Sequence, residues 1–227
     1  MPYSYLKQIK YWLKSIFNIE LDPLILLIIT SVIILTLFFI YKPASSAVLI
    51  TSFTGSYVEI MIILLYQVLF GYAYYITGVV FTIFMIGLSV GAWIGKSFNV
   101  KQLYSLLVKT ELLVIIFTGL VLSGLLIIRY LQLEVFIHIL LLLFVFIASF
   151  LVAVQFSIAS KQNNKRISVI SSNVYMADML GGAFGAFAVT IVLIPVFGFI
   201  NTTLIIIGLN LLSLIKVLVF KKQLLEF

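Results

Sequence analysis

The sequence predicts an all-α polytopic membrane protein, a single bundle of about seven transmembrane helices. Three observations carry this. Of the 227 residues, 64% are hydrophobic and 9% are charged, with a mean hydropathy of +1.30, which leaves too little polar surface to cover a soluble globule. Apolar runs of about 20 residues recur along the chain, the length that crosses a core of about 30 Å as a helix. The runs are continuous and do not alternate in segments of about ten, as the strands of a transmembrane barrel would.

The chain divides into residues 1–22 and a transmembrane domain over 23–227. In the first, Leu6, Ile9, Leu13, Ile16 and Phe17 share one helical arc, with Lys7, Lys10 and Lys14 on an adjacent one; this is an amphipathic helix lying at the interface. A cleaved signal peptide is the rival reading, because basic residues precede an apolar run and Pro43 to Ala47 is rich in small residues. The run Leu24 to Tyr41 is long for an h-region. Spans are predicted at about Pro23 to Tyr41, Ser46 to Phe70, Tyr75 to Gly95, Leu106 to Ile128, Val135 to Ser157, Ser168 to Phe197 and Thr202 to Phe220. Pro195 followed by Gly198 marks the end of the sixth.

The net charge of +7 comes from Lys and Arg at or near span ends, where basic residues set orientation. One side collects Lys42, Lys96, Lys101, Lys109, Lys161, Lys165, Arg166, Lys216, Lys221 and Lys222; the other collects Lys7, Lys10, Lys14 and Arg129. The richer side is expected to be cytoplasmic, which places a multi-pass protein in the cell membrane with its C-terminus inside. The three N-terminal lysines pull the other way. No basic stripe interleaved with aromatics points to nucleic acid, and the absence of cysteine excludes disulfides and thiolate chemistry.

Against this background two carboxylates stand out. Glu59 and Asp178 lie near the middle of apolar runs, where a charged side chain costs about 2.5–3.5 kcal/mol on insertion scales. Stepping 100° per residue puts Ser52, Gly55, Glu59 and Tyr66 on one face of the second span. The same step puts Ser171, Tyr175, Asp178, Gly182 and Gly185 on one face of the sixth, with Asn173 and Gly181 nearby. Both strips are expected to point into the bundle, since small residues allow close helix approach and hydroxyls can donate to a carboxylate. The candidate ligand-binding residues are therefore Glu59, Asp178, Ser52, Tyr66, Ser171 and Tyr175, for a cation or a proton from solution. The bland reading is that the two acids are protonated or hydrogen-bonded and only fix helix register.

Gly87, Gly91 and Gly95 recur every fourth residue in the third span, and Gly181 and Gly185 repeat the spacing in the sixth. With Gly55, these are helix-packing positions. His138, without clustered Cys, Asp or second His, is expected to be an interfacial or satisfied histidine and not a metal ligand. Ser123-Gly124 lacks the surroundings of a serine nucleophile. Arg129 and Glu134 bracket a loop and can pair there, and residues 161–166, KQNNKR, form a polar loop suited to anionic lipid. Spans two to four and five to seven would be three-helix units of opposite orientation, and Ser52-Phe53 leading to Glu59 echoes Ser149-Phe150 leading to Gln155.

The segments SFTGSYVEIMIILLYQVLFGYAYYITG, FMIGLSVGAWIGK and NVYMADMLGGAFGAFAVTIVLIPVFGF resemble the C-terminal membrane region of fused spermidine synthase-like integral membrane proteins. The resemblance runs from about Ser46 to Leu212 and includes Gly55, Glu59, Gly71, Gly87, Gly91, Asp178, Gly181 and Gly185. In that family the helices accompany a soluble aminopropyltransferase-like domain. The glycine-rich strand-to-helix turn and acidic ribose ligand that would hold its adenosyl cofactor are not found here. The resemblance thus implies a membrane module without catalysis of its own, serving a separately encoded aminopropyltransferase-like partner. Two functions are expected: a transporter-like bundle binding a cation, such as a polyamine, or a proton at the intramembrane acids, or a non-catalytic anchor or scaffold. Nucleophile, metal and cofactor signatures of an enzyme are missing.

Overall fold

The computed structural model describes residues 23–71, 74–98, 102–128, 134–161 and 167–221. The predicted interfacial segment 1–22, Arg129 and residues 162–166 of the polar loop lie outside them. Among the described residues every regular element is helical: α1 Pro23–Ile40, α2 Pro43–Phe70, α3 Tyr74–Lys96, α4 Leu103–Ile127, α5 Glu134–Ala159, α6 Ile167–Ala188, a π-helical turn Val189–Leu193, and α7 Ile194–Val219. Among the described residues five segments are long and apolar enough to cross a membrane: Pro43–Phe70, Tyr74–Lys96, Leu103–Ile127, Glu134–Ala159 and Ser172–Val219.

The last of these cannot be one straight helix. Its 48 residues would extend about 72 Å at 1.5 Å per residue, more than twice a bilayer core. The chain turns at Gly198, whose φ of 75° and ψ of 177° interrupt the helix in a region open to glycine. The turn brings the Thr202 hydroxyl to within 3.0 Å of the Leu193 carbonyl, which it donates to. Pro195 has no N–H to return to the preceding turn and its ring crowds that turn's carbonyls; the wide turn Val189–Leu193 lies directly before it. The sequence placed the end of the sixth helix between Pro195 and Gly198, and the break falls on the glycine.

Helix α2 is the centre of the bundle. In its most apolar stretch 78% of residues are buried, against 22% for α3. Its first turn starts well, with Lys42 as N-cap and Pro43 at the first helical position. Gly71 ends it with φ 74°, returning its N–H to the Gln67 carbonyl at 3.2 Å. Helices α6, α5 and α7 surround α2, while α3 packs on α5, and α4 on α7 and α5. Composition explains the central place: Ala44, Ser45, Ser46, Ala47, Ser52 and Gly55 give α2 a narrow body that neighbours approach closely. The outer helices present large apolar side chains such as Trp93, Phe81, Ile116 and Ile139 to the surroundings, as suits lipid.

Two glycine seams hold the bundle. On α3, a Cβ added at Gly87 would lie 2.7 Å from the Phe146 carbonyl oxygen, one at Gly91 would lie 2.9 Å from Ala153 Cβ, and one at Gly95 would lie 2.5 Å from Ser157 Cβ. On α6, a Cβ at Gly181 would lie 3.0 Å from Leu49 Cα and one at Gly185 would lie 2.9 Å from the Phe53 carbonyl oxygen. Gly55 makes room for Val152, 2.7 Å from where its Cβ would stand. A facing backbone or side chain touches each of these places, so side chains larger than hydrogen would force the helices apart.

One end of the bundle gathers ammonium groups on helix carbonyls. Lys161 Nζ donates to Gly95 O at 2.9 Å, Lys96 O at 2.6 Å and Phe98 O at 3.0 Å, closing the end of α3. Lys216 Nζ donates to the Phe38 carbonyl and to Tyr41 O at 2.9 Å, closing the end of α1. Both place cations where helix C-termini leave carbonyls without intrahelical partners.

Candidate functional site

Glu59 lies two turns past Ser52 on α2, with 8% of its surface exposed. Its Oε1 is buried and has no hydrogen-bond partner. Asp178 on α6 is half-buried and accepts a hydrogen bond from the Ser52 hydroxyl. The structure therefore brings Ser52 and Asp178 together across the α2–α6 seam, next to the close approach of Gly181 and Gly185. It does not bring Asp178 to Glu59. Seven residues of α2, about 10 Å of helix rise, separate Ser52 from Glu59.

The other expected ligands fall elsewhere. Tyr66 is fully buried, with its ring 5.3 Å from the His138 ring and its hydroxyl 3.2 Å from His138 Nδ1. Phe70 stacks on the same imidazole, with ring centroids 4.4 Å apart. His138 is thus an aromatic-packed histidine near the start of α5. Tyr175 is 57% exposed and points away from the bundle, contrary to the inward face drawn for it. The reason is a phase error of one residue. The buried line of α6 runs through Val174, Ala177, Gly181, Gly185 and Ala188, so Asp178 sits at its edge and Tyr175 lies beyond it. Ser171 belongs to the first turns of α6, and its side chain lies outside the described residues.

A third intramembrane acid was not singled out from the sequence. Glu111 on α4 is fully buried. Its Oε1 accepts hydrogen bonds from Gln155 Nε2 on α5 at 2.8 Å and from the Ser213 hydroxyl on α7 at 2.8 Å. Its Oε2 and the Gln155 carbonyl oxygen are buried without partners. In the sequence Glu111 follows Lys109 and Thr110 and reads as the polar lead-in to an apolar run. The signal was its phase: Leu107, Thr110, Glu111, Val114, Thr118 and Gly124 share the buried face of α4, whereas Lys109 is exposed.

Two neighbouring polar groups complete the interior. Asn210 on α7 donates from Nδ2 to Thr54 Oγ1 at 3.0 Å and to the Ile206 carbonyl at 2.9 Å, while the Thr54 hydroxyl reaches the Ile50 carbonyl at 2.9 Å. The Tyr57 and Thr203 hydroxyls lie 2.5 Å apart. Between α2, α4 and α5 a cavity of about 10 Å³ is lined by Thr51, Thr54, Gly55, Val114, Phe117, Ala148 and Leu151; Thr51 Oγ1 is buried there without a partner. The space is on the order of one water molecule. Among the described residues no group of three or more His, Cys, Asp or Glu is arranged to hold a metal ion.

Known proteins add nothing to this geometry: no family model, curated protein or solved structure matches the chain, so the likeness to spermidine synthase-like membrane proteins rests on the sequence segments quoted above.

Proposed function

We propose that this protein is a transporter-like membrane bundle that binds a proton or small cation at its intramembrane carboxylates, with Glu59 and the Ser52–Asp178 pair on the path. The observation that carries this is the Glu59 Oε1 atom, buried on the central helix with no hydrogen-bond partner. A carboxylate so placed is expensive in a bilayer and is retained where it marks an ion or substrate path. The cavity beside α2 is lined by neither acid and is on the order of one water molecule, so a polyamine would require the bundle to open.

The proposal includes seven spans in the cell membrane, the C-terminus cytoplasmic, and two inverted three-helix repeats, α2–α4 and α5–α7. Paired contacts support the repeats. Gly87 and Gly91 on α3 face the backbone of Phe146 and Phe150 on α5, and Gly181 and Gly185 on α6 face that of Leu49 and Phe53 on α2. In both cases the second facing residue is a phenylalanine preceded by a serine: Ser149-Phe150 in one, Ser52-Phe53 in the other. Inverted repeats of this kind are frequent in secondary transporters.

The reading is tested by ligand-linked stability of the purified protein. A cation bound at 100 times its Kd stabilises the native state by about 2.7 kcal/mol. Unfolding temperature should rise with the concentration of one monovalent cation, or change with pH where the ligand is a proton, and Glu59→Gln and Asp178→Asn should flatten that response. An identical response in both variants would remove these acids from the site. A second reading, a non-transporting anchor for a separate aminopropyltransferase-like enzyme, is favoured by the separation of Glu59 from Asp178. It requires a soluble partner that co-purifies at native expression levels.

A further inference from the structure

We propose that Glu111, Gln155 and Ser213 form a separate proton-binding site at the crossing of α4, α5 and α7, in which Glu111 is held as a neutral carboxylic acid. The argument does not use Glu59 or Asp178. Glu111 and Gln155 are both fully buried, and between them they carry two oxygens without partners, Glu111 Oε2 and Gln155 Oε1. Both are acceptors when Glu111 is ionised, so neither can satisfy the other. One proton on Oε2 changes this. The acid O–H becomes a donor for the Gln155 carbonyl oxygen, while Gln155 Nε2 already donates to Oε1 at 2.8 Å, giving the reciprocal pairing of an acid with an amide. Ser213 adds its donation to Oε1 from the third helix.

Among the described residues no charged group hydrogen-bonds to Glu111. The elements packed on α4 are α5, α7 and α2. Their titratable and charged side chains are Glu134 and His138 on α5, Lys216 on α7, and Tyr57, Glu59 and Tyr66 on α2, with Lys42 at its start. The hydrogen bonds to Glu111 come instead from the neutral Gln155 and Ser213. Lys216, one turn beyond Ser213, spends its ammonium on the Phe38 and Tyr41 carbonyls. A bare proton also needs no room, whereas a metal cation would need several more oxygens around it.

The test is infrared spectroscopy of the full-length protein in liposomes at neutral pH, reading the C=O stretch of protonated carboxylic acids. The wild type should show a component, equal to one carboxylic acid per chain, that Glu111→Gln abolishes and Glu59→Gln leaves in place. Replacing choline with sodium in the buffer should not diminish it. A spectrum unchanged by Glu111→Gln overturns the proposal, and so does a Glu111 component that sodium removes, which would assign the site to a metal cation. Should Glu111→Gln fail to fold, Gln155→Leu gives the second reading: loss of the amide acceptor must shift the acid C=O band to higher frequency, and an unmoved band overturns the pairing. Failure of the Glu59 response with a persistent Glu111 band would reject the transport reading and leave this site intact.

Discussion

The Thr54–Asn210 pair and the Glu111–Gln155–Ser213 group are two polar clusters that share helix α7, the first joining it to α2 and the second to α4 and α5, and they end differently. Asn210 is closed: its amide donates twice, and its carbonyl oxygen lies 3.3 Å from the Thr54 hydroxyl, a donor within reach. Glu111 is open, with an acceptor left over on itself and another on Gln155. A neutral amide suffices to pin two helices together in a membrane. An acid that leaves acceptors unfilled does something more than pin helices, and the most economical filler is a proton. Glu59, with its own unpartnered oxygen, belongs with Glu111 and not with Asn210.

The largest effect comes from the frame both clusters share. Gly91→Leu should drive α3 from α5 and cost about 3 kcal/mol or prevent folding, while Gly78→Leu, with nothing within 4 Å of its Cβ position, should change little; thermal unfolding in detergent separates the two. Next comes the contrast between clusters. Glu111→Leu strands the donors of Gln155 and Ser213, each worth about 1–3 kcal/mol when buried unsatisfied, so it should destabilise more than Asn210→Leu. Glu111→Gln should stay within about 1 kcal/mol of wild type at pH 7 if the acid is already neutral. A loss as large as that of Glu111→Leu would mean that the charge itself is required. The smallest effect is Ser52→Ala, which removes a single hydrogen bond to half-buried Asp178 and should cost about 1 kcal/mol in chemical denaturation.

The architecture was legible because membrane helices are written in uninterrupted apolar length and in small residues spaced by four. The glycines at 87, 91, 95, 181 and 185 all meet a facing backbone or a short side chain. Helix ends drifted outward by a few residues, as at Leu103 against the expected Leu106, because a helix continues into polar residues after the hydrocarbon run has ended. The site was legible only in part. Ser52 and Asp178 could be placed on inward strips, but that they meet is a matter of helix register, which periodicity does not encode. Tyr175 departs from its expected place because the inward face of α6 is centred on Ala177 and Gly181, not on the polar Asp178. Glu111 was hidden by its neighbour Lys109, although the two side chains leave the helix on different sides.

Flux through reconstituted liposomes tests the central claim most directly, comparing wild type with Glu59→Gln protein of matched unfolding temperature under an imposed proton or monovalent-cation gradient. The account predicts measurable movement in the wild type and a loss of at least about tenfold in the variant, equivalent to about 1.4 kcal/mol. Equal flux in the two proteins would contradict it.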